Sequence, residues 1–363
     1  MSGIVSTLTS NNIHLSNMLC LSRDNPAVMK KVFRLLEDEV RAANCPKLVD
    51  APCYLHPTHT AFKTAAKSLN MDVVSLLGNL HGFFKTSAAR REDMVEVREE
   101  LAEELEDQME EVLDQFFLRH VDTRWLESQR CFQRLLDHWD STVEYFMVYL
   151  PNSPLQSNKL AIKSKKYKQI ALHLCQEEVM RTKIRCKFLI LLGQTTKTFL
   201  TLLQSQKPMI HQLQDLSFNM FTRLSNMVLK TEVRPTEARY VKNLDLTDGS
   251  IFLHSKDCGF MVCCAEEMAN MKSEERQEAR REMRDSLAEM LKYLQANLPW
   301  DKPLYLHLSF MDPLKRTTRE VPVYGVAVAE ELNRFTEPEK VNLAVLLGQY
   351  QALPAAQVCI STR

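Results

Sequence analysis

The sequence predicts an α-rich α/β protein. Three observations point to that class. Residues 17–84 alternate strand-like and helix-like runs in the order strand, helix, strand, helix. From about residue 70 to 300 the apolar residues recur almost throughout at spacings of three and four. Only eight glycines occur in 363 residues and none of them cluster, which favours helices over glycine-rich, phosphate-cradling loops.

Along the chain, "NMLCLS" (17–22) is a short apolar run, long enough for a buried strand, that ends at Asp24-Asn25-Pro26. "AVMKKVFRLLEDEVRAA" (27–43) follows at helical period. Val28, Val32, Leu35, Leu36 and Val40 share one face, and Pro26 suits the first turn. "KLVDAPCYL" (47–55) reads as a second strand, weakened by Pro52, and "HTAFKTAAKSLNMDVVSLLGNLHGFF" (59–84) returns to helix.

Residues 92–114 hold 12 acids and one base, Arg98, with Met94, Val97, Leu101, Leu105, Met109 and Val112 at spacings of three or four. Such a helix buries one stripe and presents an acidic face, either as a solvated surface or as a docking surface. Residues 126–150 and 165–206 continue the helical period. "TEVRPTEARYVKNLDLTDGSIFLHSKDCGF" (231–260) is rich in turn residues and reads as a connector. Residues 265–298 mix acids and bases at i,i+4 spacing on a long helix. "LYLHLSFMD" (304–312) reads as a strand entering the core, and "EVPVYGVAVAEEL" then leads to a short helix, "EPEKVNLAVLLGQYQAL".

Forty-six basic and 46 acidic residues cancel, so no global field draws the chain to nucleic acid or membrane, and any such binding must be local. The N-terminal residues lack a signal-peptide pattern. The richest apolar run, "CKFLILLGQTTKTFLTLL", is interrupted by Lys187, Gln194, Thr195, Thr196 and Lys197, so no membrane span is expected. Ten cysteines at irregular spacing suit free thiols in a reducing compartment. The P-loop, HExxH and GxSxG patterns do not occur, which argues against an NTPase, a zincin or an α/β-hydrolase.

Four groups of residues could carry chemistry. In "APCYLHPTHTAF" (51–62), Cys53 and His56 form a zinc half-site to which His59 offers a third ligand. No clean second pair exists, since Cys263 and Cys264 are adjacent and Cys258 lies five residues before Cys263, so metal is not expected. Asp24 falls between a strand-like run and a helix, which suits either a helix N-cap or a metal-binding carboxylate at a strand edge. In "VDTRW" (121–125), Arg124 beside Trp125 suits a core tryptophan with a neighbouring ion pair, or a stack on a nucleic-acid base. Lys163, Lys165, Lys166 and Lys168, followed by Arg181, Lys183, Arg185 and Lys187, are either solvated or form a phosphate-binding face. "KSKKYK" within this run also suits a nuclear import signal, with the cytoplasm as the alternative location.

"LSRDNPAVMKKVF", "CYLHPTHTAF", "LHGFFKTSAARREDM" and "VDTRWLESQRCFQRLLDHW" occur in one order, with "LHLSFMDPLKR" and "LLGQYQAL" near the C-terminus. Together they resemble the hAT superfamily of DNA transposases, in particular the domesticated animal hAT-like proteins related to BED-type zinc finger proteins. The resemblance covers most of residues 15–355. It implies a partial ribonuclease H-like core (1–74), a large all-α insertion domain (75–300) and a C-terminal return to the core (301–363). Asp24 would match the second carboxylate of the family's Asp-Asp-Glu triad, as a vestige. Cys53 and His56 would match its Cys-x-x-His, and Arg124 and Trp125 the Arg-Trp pair near the processed DNA end. The resemblance further implies truncation at both ends. The zinc finger, the first strand aspartate, the Ser-Glu-Arg motif with the third carboxylate, and the dimerisation region have no counterparts.

One carboxylate does not hold two magnesium ions. The expectation is therefore a catalytically inactive protein with no cofactor, in which Mg2+ would matter only with a complete triad. It would act by protein contacts through helical surfaces or by weak DNA binding, without membrane partners and with no expectation for oligomeric state. An active transposase completed by carboxylates outside this chain is the rival, and an unrelated zinc hydrolase a more distant one.

Overall fold

The computed structural model describes residues 2–104 apart from 19, 25, 26, 46, 47 and 86, then 117, 118, 128–205, 209–312 and 327. It is helix-rich, with a single two-stranded sheet among the described residues.

Helix α1 (Ser2–Ser10) precedes β1 (Cys20–Arg23), α2 (Ala27–Ala42) and β2 (Val49–Pro52). The strands run parallel, in register from Cys20 opposite Val49 to Arg23 opposite Pro52, so strand, helix and strand form one crossover unit, as the alternation predicts. Two details differ from expectation. Strand β1 is not buried on both faces, because Cys20 and Ser22 are exposed and only Arg23 is fully covered. Helix α2 buries Phe33, Leu36 and Val40, whereas Val28 and Leu35 stand exposed at 71% and 39%. A two-stranded sheet is too narrow to cover the whole stripe. Phe33, Leu36 and Leu48 make a small core of their own, flanked by Val5, Leu15, Met18 and Leu21.

The expected helix at 59–84 is two helices, α3 (Leu55–Ser68) and α4 (Val73–Phe84). Asp72 ends the continuity by accepting the N–H groups of Val74 and Ser75 at 3.2 and 3.0 Å, an N-cap that starts a new axis. Helix α5 (Ala88–Glu104) forms the first part of the acidic segment, with Met94 and Val97 buried. The continuation with Leu105, Met109 and Val112 lies outside the described residues.

Helices α6 (Ser128–Asp137) and α7 (Trp139–Glu144) lead through a π turn at Tyr145–Tyr149 into α8 (Leu150–Asn152). The turn places Tyr145 and Phe146 against Phe83 and Phe84 of α4, with ring centroids 5.0 to 5.8 Å apart. Helices α9 (Gln156–Ala161) and α10 (Lys165–Leu174) follow.

The 25-residue α11 (Val179–Leu203), about 37 Å long at 1.5 Å per residue, runs through the centre. It contacts α3, α4, α6, α10 and the helices that follow it, which is why its sequence is apolar on more than one face. Gly193 allows α6 to come close: a Cβ there would stand 3.2 Å from the Gln129 Cβ.

Helix α12 (Leu213–Ser225) precedes the connector at 231–260, which is a chain of short 3-10 turns tied to α12's end by Leu253 N–H donating to Val228 O at 2.7 Å. Helices α13 (Ala265–Ala269) and α14 (Ser273–Asn297) divide the long helix expected at 265–298. Helix α14 lies along α3, where Ala61, Ala65 and Ala66 keep the surface low, and Ser286 Oγ donates to Ala65 O at 2.8 Å.

Residues 304–312 are helix rather than the expected strand, comprising α15 (Pro303–His307) and a 3-10 turn at Leu308–Met311. Pro303 presets the first turn, and the buried positions are Tyr305, Ser309 and Asp312, four and three apart, not the alternating leucines. "EVPVYGVAVAEEL", apart from Ala327, and "EPEKVNLAVLLGQYQAL" lie outside the described residues.

One large apolar core extends from Tyr54 to Tyr305. Helix α4 spans the boundary expected near residue 74, and this core continues across it.

Candidate functional site

Because β1 and β2 are parallel, their C-terminal ends share one edge. The Cys53 N–H donates to Arg23 O at 2.7 Å, carrying the ladder one residue past β2. Helix α3 then opens at Leu55, so His56 falls in its first turn and His59 one turn further on. Asp24 directly follows β1.

The edge thus gathers Asp24, Cys53 and His56. Asp24 Oδ1 lies 3.7 Å from His56 Nδ1, with side chains 61% and 52% exposed. At that distance the contact is an ion pair when His56 is protonated and otherwise weak. The N-cap alternative for Asp24 involves Asn25 and Pro26, outside the described residues. Among the described residues, no three His, Cys, Asp or Glu side chains form a group able to hold a metal ion.

The sequence reading missed the best-defined polar contact here. Arg23 forms a two-point fork with Asp50 of β2, Nε to Oδ1 at 2.9 Å and Nη2 to Oδ2 at 2.7 Å, and its third nitrogen donates to Asp24 O at 3.2 Å. Its side chain is 6% exposed and its guanidinium lies 5.7 Å from the Phe33 ring centre. The available signal was one charged residue of each sign in two short, otherwise neutral strands, an arrangement that favours pairing once the strands are adjacent. Tyr54, next to Cys53, is buried and its hydroxyl donates to the Tyr305 hydroxyl at 3.3 Å; burial, then that bond, pushes its pKa above the usual phenol range.

The basic run separates into two groups. Lys163 lies in the turn before α10, and Lys165, Lys166 and Lys168 lie in or next to its first turn, all four exposed. Lys166 is engaged, its Nζ donating to Gly82 O in the last turn of α4 at 2.9 Å, where a cation is favoured. Lys163, Lys165 and Lys168 make no ion pair among the described residues.

The second group does not form a phosphate-binding face. Arg185, with a side chain 3% exposed, donates from Nε and Nη2 to Glu282 at 2.9 and 3.1 Å and from Nη1 to Glu178 at 2.7 Å. Burial alone would lower its pKa, but Glu282 and Glu178 outweigh that and raise it. Arg181 pairs with Glu278 at 2.8 Å, and Lys183 and Lys187 approach Glu267 Oε1 at 3.8 and 2.5 Å. A buried cation needs such partners, so this half of the run is consumed in joining α11 to α13 and α14. Arg124 and Trp125 lie outside the described residues.

No helix among the described residues is long and apolar enough to cross a membrane. No family model, curated protein or solved structure matches the chain.

Proposed function

We propose that this chain is a hAT-transposase-derived protein that acts by binding rather than by cutting or joining DNA, with the phosphate backbone as its ligand and the nucleus as its place of action. The strand–helix–strand unit within 1–74 supports a partial ribonuclease H-like core, the helices of 75–300 an all-α insertion, and the Tyr305–Tyr54 contact a return of 301–363 toward that core.

The Arg23–Asp50 fork carries the reading. A two-metal centre needs several carboxylates turned to a common point with uncompensated charge. At the strand ends of this chain Asp50 is neutralised by a fixed guanidinium that also reaches the Asp24 carbonyl. A cation fixed there opposes a divalent ion, and Asp24 alone supplies one exposed carboxylate.

The binding face is the start of α10. Basic residues at a helix N-terminus oppose the macrodipole, and anions there are favoured. Lys163, Lys165 and Lys168 occupy that end, where Ser164 Oγ accepts the Tyr167 N–H at 3.2 Å. Titration of the full chain with a labelled DNA duplex over a series of salt concentrations tests the proposal. Three phosphate contacts give a log K against log salt slope of roughly −2 to −3, abolished by charge reversal of the three lysines. Absence of binding at low salt refutes the DNA ligand. Strand transfer with Mg2+ or Mn2+, lost in Asp24→Asn, refutes the non-enzymatic reading.

A further inference from the structure

Two adjacent thiols lie outside the proposed DNA face. Cys263 and Cys264 end the 3-10 stretch Gly259–Cys264 that leads into α13. The Cys263 S–H donates to Phe260 O at 3.0 Å, while the Cys264 sulfur lies 3.8 Å from Met261 O and 3.9 Å from Phe260 O. Their settings differ. Cys264 is 1% exposed in the main core, whereas Cys263 is partly exposed beside Val262, itself 86% exposed.

The surrounding charges favour one thiolate. Glu267 is 4% exposed, its Oε1 facing both Lys187 and Lys183 and its Oε2 unpartnered among the described residues. Of these charges, Lys187 favours a Cys263 thiolate and Glu267 opposes it less strongly. Donation from Cys264, opposed by burial and aided by Lys187, holds Cys263 below the usual thiol range. The same bond, together with burial, pushes Cys264 up. The Cys263–Phe260 bond acts the other way, because ionisation breaks it. A partly exposed, thiolate-favoured cysteine beside a neutral, buried one is the arrangement of an attacking and a resolving thiol.

We propose that Cys263 and Cys264 form a vicinal dithiol oxidised by hydrogen peroxide, with Cys263 attacking and Cys264 resolving. The Cys263 thiolate attacks one peroxide oxygen, the O–O bond breaks, and the departing hydroxide takes up a proton to leave as water, giving a sulfenic acid. The Cys264 sulfur then attacks the Cys263 sulfur, the S–O bond breaks, and a second water leaves. In sum two thiols and one peroxide become one disulfide and two waters, the sulfurs oxidised and the peroxide reduced. Consecutive Cα atoms are about 3.8 Å apart across a trans peptide, below the usual disulfide span of about 4.4–6.8 Å. The bridge is therefore strained and readily reduced, which makes the modification reversible.

The test exposes the folded full chain to limiting peroxide, blocks remaining thiols and digests with trypsin. The peptide 257–272, "DCGFMVCCAEEMANMK", contains all three cysteines of this region. Mass spectrometry is expected to find two hydrogens lost from it, with fragment ions assigning the bridge to Cys263 and Cys264. Its appearance is expected to be at least ~5-fold faster than oxidation of exposed Cys20 or half-buried Cys45. Cys264→Ser is expected to leave a Cys263 sulfenic acid that dimedone traps, Cys258→Ser to leave the rate unchanged, and Lys187→Met to slow it. Glutathione is expected to restore the peptide mass. Oxidation of Cys263 no faster than that of Cys20, or a bridge from Cys258 to Cys263, overturns the proposal. The dimedone arm reads Cys263 directly, so a folding defect in Lys187→Met does not remove the test.

Discussion

Replacing Arg185 by Met removes the cation that α11 places between its own N-cap carboxylate, Glu178, and Glu282 of α14. Three donor atoms are lost, two to Glu282 and one to Glu178. The Glu282 side chain is 5% exposed and keeps one donor, the Asn70 N–H at 2.7 Å. Removing one partner of a buried pair costs about 3–5 kcal/mol, because the remaining charge stays desolvated. At roughly 2–4 °C per kcal/mol for a domain of this size, the expected fall in Tm is about 6–20 °C. The triple variant Arg185→Met, Glu178→Leu, Glu282→Leu removes the charges together and is expected to recover most of that loss, since burial of apolar groups of similar volume offsets the lost pairing. Calorimetry, with circular dichroism at 222 nm as a second probe, reads both variants. A fall of less than about 3 °C for Arg185→Met, against the several kcal/mol expected for an orphaned buried charge, refutes the argument that this network is a structural joint.

Acid should destabilise the fold through His138, which burial, then Arg98 and Arg134, lowers to a pKa of about 4. Between the unfolded value near 6.5 and about 4 the unfolded chain binds the extra proton, so stability falls with pH over that window, by at most roughly 3 kcal/mol. His138→Gln is expected to flatten part of the slope in urea melts. His173, also lowered by burial and then by Arg185, leaves the rest. Phe62→Ala, at a fully buried position on α3, is expected to cost about 3–5 kcal/mol in urea denaturation. Lys165→Glu and Lys168→Glu are expected to raise Tm slightly by relieving the α10 dipole while weakening salt-dependent DNA binding, whereas Lys166→Glu lowers Tm by losing the Gly82 contact. A fall in Tm for the first two refutes the view that those lysines are free of the fold.

Where a pattern depends on near neighbours, the chain could be read directly. The periodicity of residues 27–43 is α2, the two short runs at its ends are β1 and β2, and their parallel pairing brings Asp24, Cys53 and His56 to one edge. The stop at Asp72 was also readable in principle, because an N-cap needs only the next three residues. The helix at 303–307 was missed because alternating leucines suit a strand only where another strand is available to pair. Burial of Tyr305 against Tyr54, 251 positions away, selects the helical period instead.

The local sequence by itself determined that the segments between about 70 and 300 are mainly helical, where the strand–helix–strand unit lies, and that glycines do not cluster, since these follow from spacing and propensity within a few residues. The tertiary structure alone decided what each charge does. Arg185 and Glu282 are 97 residues apart, and Lys166 and Gly82 are 84 apart. A lysine bound for solvent and an arginine bound for a buried carboxylate therefore looked alike in one basic run. Charge pairing is a property of distance in space, and only packing α11 against α14 and α10 against α4 set those distances.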